Sequence, residues 1–351
     1  MYKRCTVLCT KGAPYCVQKV HRIVYKRCTV LCIKGASYRV HFVRDLIVTG
    51  GLMKQENYLD IRKKCIRKAN VLIQKGRFSL SIQQQKIMLL LLSRIGPHDK
   101  EFHVCSFKIL EFCRVCGLVK SGTNYEKIKD QIKGLCDEVI WLKSSDREGT
   151  LRIRWLEQPR ISFDGGTVEL RLNEQLKPYL LGLKKNFTEY PLIYPLAFRS
   201  KYSIRLYELI CSLHYDEMKE YKKNFSLDEL REAIGCEGYS DFRAFRRRVL
   251  DKSVSEINEH SNKTVTYEAI TQGRKIVSVE LTISAKDSLE AARIHSEIEH
   301  ELGVPEGYMT IWDELQVKGY VARVSVITSQ TAQNGPQSGF TKEGRIEIHP
   351  M

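Results

Sequence analysis

Three arginines and two small residues mark the surface of this sequence with the most chemistry to offer. If a long helix begins near Ser240 and advances about 100° per residue, Phe242, Phe245, Val249, Leu250, Ser253 and Ile257 share one side. Ser240, Ala244, Arg247, Arg248 and Asp251 share the other, with Arg243 at the margin. A guanidinium presents a planar pair of donors that matches guanine O6 and N7, and small neighbours let such a helix sit deep in a major groove. The expected chemistry is recognition of base edges and phosphates. Arg246 falls over the apolar side, so an acidic neighbour is its expected partner. Arg274 and Lys275, at the tip of an expected hairpin, would reach phosphate or minor groove.

Other reactive patterns are incomplete. Cys113 and Cys116 form the one C-x-x-C, without the second ligand pair that a structural zinc requires. Gly117 to Gly122 is followed by Thr123 and Asn124 where a phosphate-binding loop needs Lys and then Ser or Thr. Catalytic residues, metal and cofactors are therefore all expected to be absent.

The arginine face needs a scaffold. Ser203 to Leu213 reads as a helix, and Ser226-Leu227-Asp228-Glu229 as a capping box opening another that runs to Ile234 and stops at Gly235. The long helix follows, then a hairpin of Thr264 to Ile270 and Ile276 to Ile283 around Gln272-Gly273-Arg274-Lys275. Helix, turn, helix and basic hairpin make a winged helix-turn-helix.

The same order occurs about 118 residues earlier. Ser79 to Ile95 is a largely apolar helix; Phe107, Leu110, Cys113 and Cys116 fall at helical spacing up to Gly117. A second amphipathic helix carries Tyr125, Ile128, Ile132 and Leu135, and Val139 to Lys143, Leu151 to Leu156 and Val168 to Leu172 alternate as strands. Lys120, Ser121, Asn124, Lys127, Lys129 and Lys133 are this module's counterparts of the arginine face. Lysine is a point charge suited to phosphate, so this module should position more than it specifies. The fold class is thus α+β, two tandem winged helix-turn-helix domains.

The charge distribution supports a polyanionic partner. The chain of 351 residues carries 57 Lys and Arg against 41 Asp and Glu, a net +16, with no apolar run long enough to cross a bilayer and no leader-like start. A cytoplasmic location, with the 12 cysteines reduced, is expected. Residues 1–52 hold +9, residues 53–286 +12 and residues 287–351 −5. Four segments follow: an extension (1–52), a first winged-helix domain for dimerisation and phosphate contacts (53–187), a sequence-reading one (188–286), and a tail with an acidic helix, Ser288 to Leu302, and a loose end (287–351).

Tyr2 to Cys9 recurs as Tyr25 to Cys32, and Lys11-Gly12-Ala13 as Lys34-Gly35-Ala36, a period of 23 residues. Two Cys-rich copies cannot stack into a repeat core. Read as codons, the stretches at Lys3–Thr6, Thr10–Ala13, Gln18–His21, Lys26–Thr29 and Ile33–Ala36 all fit one string, AAAAGGTGYA, in rotating frames 23 bases apart. Residues 1–52 are thus expected to be translated DNA repeats, Met53 serving as a start, or else a basic arm that touches phosphates.

Tyr202-Ser203-Ile204-Arg205-Leu206-Tyr207-Glu208-Leu209, together with Phe242-Arg243 through Val249-Leu250-Asp251 to Glu256-Ile257-Asn258, resembles the iteron-binding plasmid replication initiators of the Rep or RepB family, over roughly residues 68–286. The resemblance implies binding of direct repeats in double-stranded DNA at a plasmid origin, origin opening, and recruitment of the host initiator and replicative helicase. It also implies a homodimer in equilibrium with monomer that represses its own gene. Arg205 and Glu208 in the signature are expected to form an internal ion pair. Three rivals stand beside this reading. A rolling-circle enzyme would need a His-x-His pair, which the sequence lacks; a winged-helix transcriptional repressor needs one palindrome; an architectural binder would be indifferent to sequence.

Overall fold

The computed structural model describes residues 57–317 apart from 120, 144–148, 162–165 and 214–219, together with three strands before them, β1 (Cys5–Cys9), β2 (Cys28–Lys34) and β3 (Ser37–Phe42). β1 and β2, the two repeat copies, run parallel with Cys5 opposite Cys28, and β3 lies antiparallel to β2.

The first winged helix is built around α3 (Ile82–Leu92), which follows α1 (Tyr58–Arg62), β4 (Cys65–Ala69) and α2 (Asn70–Lys75). Ser81 opens α3 with a capping box, its hydroxyl accepting from the Gln84 amide at 3.2 Å while the Gln84 side chain accepts from the Ser81 amide at 2.8 Å. Gln84 to Leu92 are all buried, so this helix is the module's axis. β5 (Cys105–Lys108), α4 (Ile109–Val115) and α5 (Gly122–Leu135) follow, then the hairpin β6 (Val139–Lys143) and β7 (Thr150–Arg154), and β8 (Leu156–Ile161) and β9 (Thr167–Leu172). The sheet order is β5-β9-β8. Phe107 lies in β5, not in the helix its spacing suggested, and Leu110 is exposed; α4 instead buries Ile109, Phe112, Cys113 and Val115. The strand expected over Leu151 to Leu156 breaks at Trp155.

After α6 (Lys177–Leu180), β10 (Phe187–Pro191) returns to pair antiparallel with β4, and α7 (Ile193–Ala197) leads to α8 (Lys201–Leu213). The second winged helix contains β11 (Glu220–Ser226), α9 (Leu227–Ile234), α10, β12 (Lys263–Gln272) and β13 (Lys275–Ala285), the strands in the order β11-β13-β12. The helix α10 comprises Phe242–Phe245, a π-helical turn Arg246–Leu250 and Asp251–His260. α11 (Ser288–Glu301) closes the unit that ends at Val304; α12 (Ile311–Val317) belongs to a second unit beginning at Pro305. No helix among the described residues is long and apolar enough to cross a membrane.

Two buried arginines join distant parts of the first unit. Arg62 is fully buried and donates to the carbonyls of Arg114 at 2.6 Å, Val115 at 3.0 Å, Leu302 at 2.7 Å and Gly303 at 2.9 Å, the carboxyl ends of α4 and α11. Arg205 stacks on Phe78 at 4.1 Å and donates to Gly76 at 2.9 Å and Ala233 at 2.7 Å, linking the two modules. Its expected pairing with Glu208 is present at 4.0 Å. Glu208 is held more closely by Lys68 at 2.5 Å and by the Tyr190 hydroxyl. Burial pulls the Lys68 ammonium below its ordinary range and pushes the Tyr190 phenol up.

Candidate nucleic-acid interface

Helix α10 starts where its first turn can be satisfied. The Asp241 carboxylate accepts from the Ala244 amide at 2.8 Å, which makes Asp241 the cap and leaves Ser240 one residue outside the helix rather than at its start. Ser240 remains exposed, and its carbonyl accepts from Arg231 at 2.9 Å, so Arg231 fastens the turn between α9 and α10. Gly235 ends α9 with a φ of 71°, a left-handed conformation that an L side chain resists.

Phe245, Val249 and Leu250 are buried against the module, while Arg243, Arg247 and Arg248 are exposed and have no ion-pair partner among the described residues. Ala244 is half-buried between them. Arg246 pairs with Asp251 at 3.7 Å, as expected of it, and Asp251 also accepts from the Tyr267 hydroxyl of β12. The face of α10 therefore offers three available guanidinium groups and one that is engaged. A sheet strand thus braces the arginine helix, through a tyrosine that carries no signal in the sequence.

The wing is the β12–β13 hairpin. Gly273 turns it with a φ of 61°, and Arg274 and Lys275 are both exposed at its end. The register slips between Ile270 and Thr271, a bulge that re-aims the tip relative to the strands below.

The first module presents a weaker face. Ser121 caps α5, accepting from the Asn124 amide at 3.2 Å, and the Asn124 side chain donates to the Val119 carbonyl at 2.8 Å. Both are therefore occupied in shaping the turn. Lys127 is exposed, whereas Lys129 pairs with Glu126 at 3.2 Å and Lys133 with Asp130 at 3.4 Å. Lys120 lies outside the described residues. Cys113 and Cys116 are both buried, and burial pushes the Cys116 thiol up to about 12, which fits core packing. Among the described residues no group of three or more His, Cys, Asp or Glu could hold a metal ion.

Two family models match this chain: the initiator replication protein WH1 domain over residues 65–211 and the initiator Rep protein WH2 domain over residues 226–283. Among curated proteins, the chain is 25% identical over 194 residues to a replication initiation protein of Escherichia coli, covering 53% of this chain and 60% of that one. It is 34% identical over 154 residues to the PI protein of Escherichia coli, covering 38% and 48%. The chain thus matches only about half of the length of these relatives. Among solved structures, a Pi initiator protein crystallised in complex with iteron DNA aligns with 65% of this chain and 99% of its own, at a TM-score of 0.55 and 23% identity, a likeness of fold.

Proposed function

The chain belongs to the initiator replication protein family, with a WH1 and a WH2 domain in tandem, and we propose that it initiates replication by binding direct repeats at a plasmid origin. The observation that carries the reading is the α10 face, where Arg243, Arg247 and Arg248 stand exposed beside Ala244 without ion-pair partners among the described residues. Such a face supports base reading, while Arg274, Lys275, Lys120, Lys127, Lys129 and Lys133 supply phosphate contacts and Ser240, Ser121 and Asn124 border them. In this reading residues 188–286 specify the sequence, and residues 53–187 position the protein and form the dimer. The monomer opens the duplex and recruits the host initiator and helicase in the bacterial cytoplasm; the dimer represses the gene. No catalytic residue, metal or cofactor is assigned.

A repressor without initiator activity is the alternative, and replication itself discriminates. A plasmid whose own initiator gene has been deleted is expected to persist when this chain is supplied in trans and to be lost with the Arg247→Ala/Arg248→Ala variant. Repression of a reporter without plasmid maintenance would favour the repressor.

A further inference from the structure

The duplicated segment before Met53 fixes more than a ten-base string. The five strings begin at the first base of codon 3, the third of codon 10, the second of codon 18, the first of codon 26 and the third of codon 33, each 23 bases after the last. Three units of 23 bases fill 23 codons and restore the frame, which is why the protein repeat is 23 residues long. A duplication acting on protein would leave no relation between frames. Here the frames agree throughout: one unit, AAAAGGTGCACCGTATTGTGTAC, repeated three times without change, translates to Lys3 through Tyr25 residue by residue. Two further units yield Lys26 through Val40 with three base changes, those placing Ile33, Ser37 and Arg39 where the first copy has Thr10, Pro14 and Cys16. The codons of Ala13 and His21 fix the ninth base as C.

The unit also suits the interface. Its GGTG carries three guanines in four bases, the base whose O6 and N7 accept a guanidinium pair, and α10 offers Arg243, Arg247 and Arg248. Its AAAA run is the kind of tract whose narrow minor groove attracts basic side chains, and the wing ends in Arg274 and Lys275. At about 10 to 10.5 base pairs per turn, one unit covers roughly two turns of B-DNA, so successive units present the same face. Two helix-turn-helix modules in one chain match two successive turns.

We propose that this 23-base unit, in at least five tandem copies across codons 3 to 41 of its own reading frame, is the DNA that the protein binds. The proposal rests on the repeat-binding reading above and names its target. Residues 3–40 owe their sequence to the unit, and binding there would place the protein on its own coding DNA.

The test uses the full chain and two duplexes that encode the same residues 1–52. One carries the five units; the other is recoded with synonymous codons so that no unit survives. Nuclease protection recurring every 23 base pairs, with affinity at least 100-fold tighter than for the recoded duplex, is the expected result. Equal affinity for the two duplexes overturns the assignment. A parallel selection from random duplexes separates the two levels: enrichment of an unrelated direct repeat overturns the target and leaves the repeat-binding reading standing, whereas enrichment of nothing overturns both.

Discussion

Arg246 and Asp251 pair at 3.7 Å although they stand five residues apart in one helix. In a regular α-helix that spacing leaves two side chains roughly 140° apart. The π-turn over Arg246–Leu250, closed by the Asp251 amide donating to the Arg246 carbonyl, brings them to one side. Asp251 is thereby a negative charge on the arginine face that withholds one guanidinium. With Asp251→Asn, the affinity for an unrelated duplex should rise several-fold. The dependence of log K on log salt should steepen by about one phosphate contact, a slope change of roughly 0.9. Anisotropy titrations across salt concentrations would show this; an unchanged slope would mean that Arg246 stays off the DNA.

Substituting Arg247 or Arg248 by Ala should cost about 1–3 kcal/mol of binding to the repeat if either pairs with guanine, and should relax preference at one position only. Lys127→Ala should instead weaken all duplexes alike and reduce the salt slope by about 1. Competition titrations with single-base variants of the target distinguish the two patterns.

Glu208 is almost fully buried, with Lys68 and Arg205 on either side. Glu208→Ala leaves two cations in the interior without their carboxylate, and urea unfolding should show a loss of about 3–5 kcal/mol. Replacing the pair together, Lys68→Met with Glu208→Leu, should recover part of that loss. A double variant no more stable than the single would assign the cost to packing.

Burial beside Tyr194 lowers the His295 imidazole from 6.5 to about 4. The unfolded chain therefore binds a proton that the folded chain refuses between these values. Stability from this group is complete above pH 6.5 and falls as the pH drops toward 4, by about 3 kcal/mol. Thermal melts of His295→Gln should lose this portion of the acid sensitivity; an identical pH profile would place it elsewhere.

Local chemistry was readable in the sequence wherever one side chain answers one backbone group. The Ser226–Glu229 capping box, the left-handed Gly235 and the amphipathic α5 are all present as spaced. Pairings across long stretches left no local pattern: β10 joins β4 over more than a hundred residues, and the edge strand β11 is too rich in charge to alternate cleanly. The arginine face was legible because its apolar opposite is regular up to Phe245. The π-turn beyond it was not, since one inserted residue shifts the phase of a helix without changing its composition. Charged residues in the interior such as Arg62 and Lys68 were invisible for the same reason that they are tolerated: their acceptors are supplied by other parts of the fold.

Arg62 sets a timetable for synthesis. Two of its acceptors, Leu302 and Gly303, follow it by 240 and 241 residues. At roughly 5–20 residues per second, a ribosome takes on the order of ten seconds or more to deliver them. Until then the guanidinium has only the Arg114 and Val115 carbonyls, 52 and 53 residues away, and the amino-terminal half of the unit waits unfinished for its last helix.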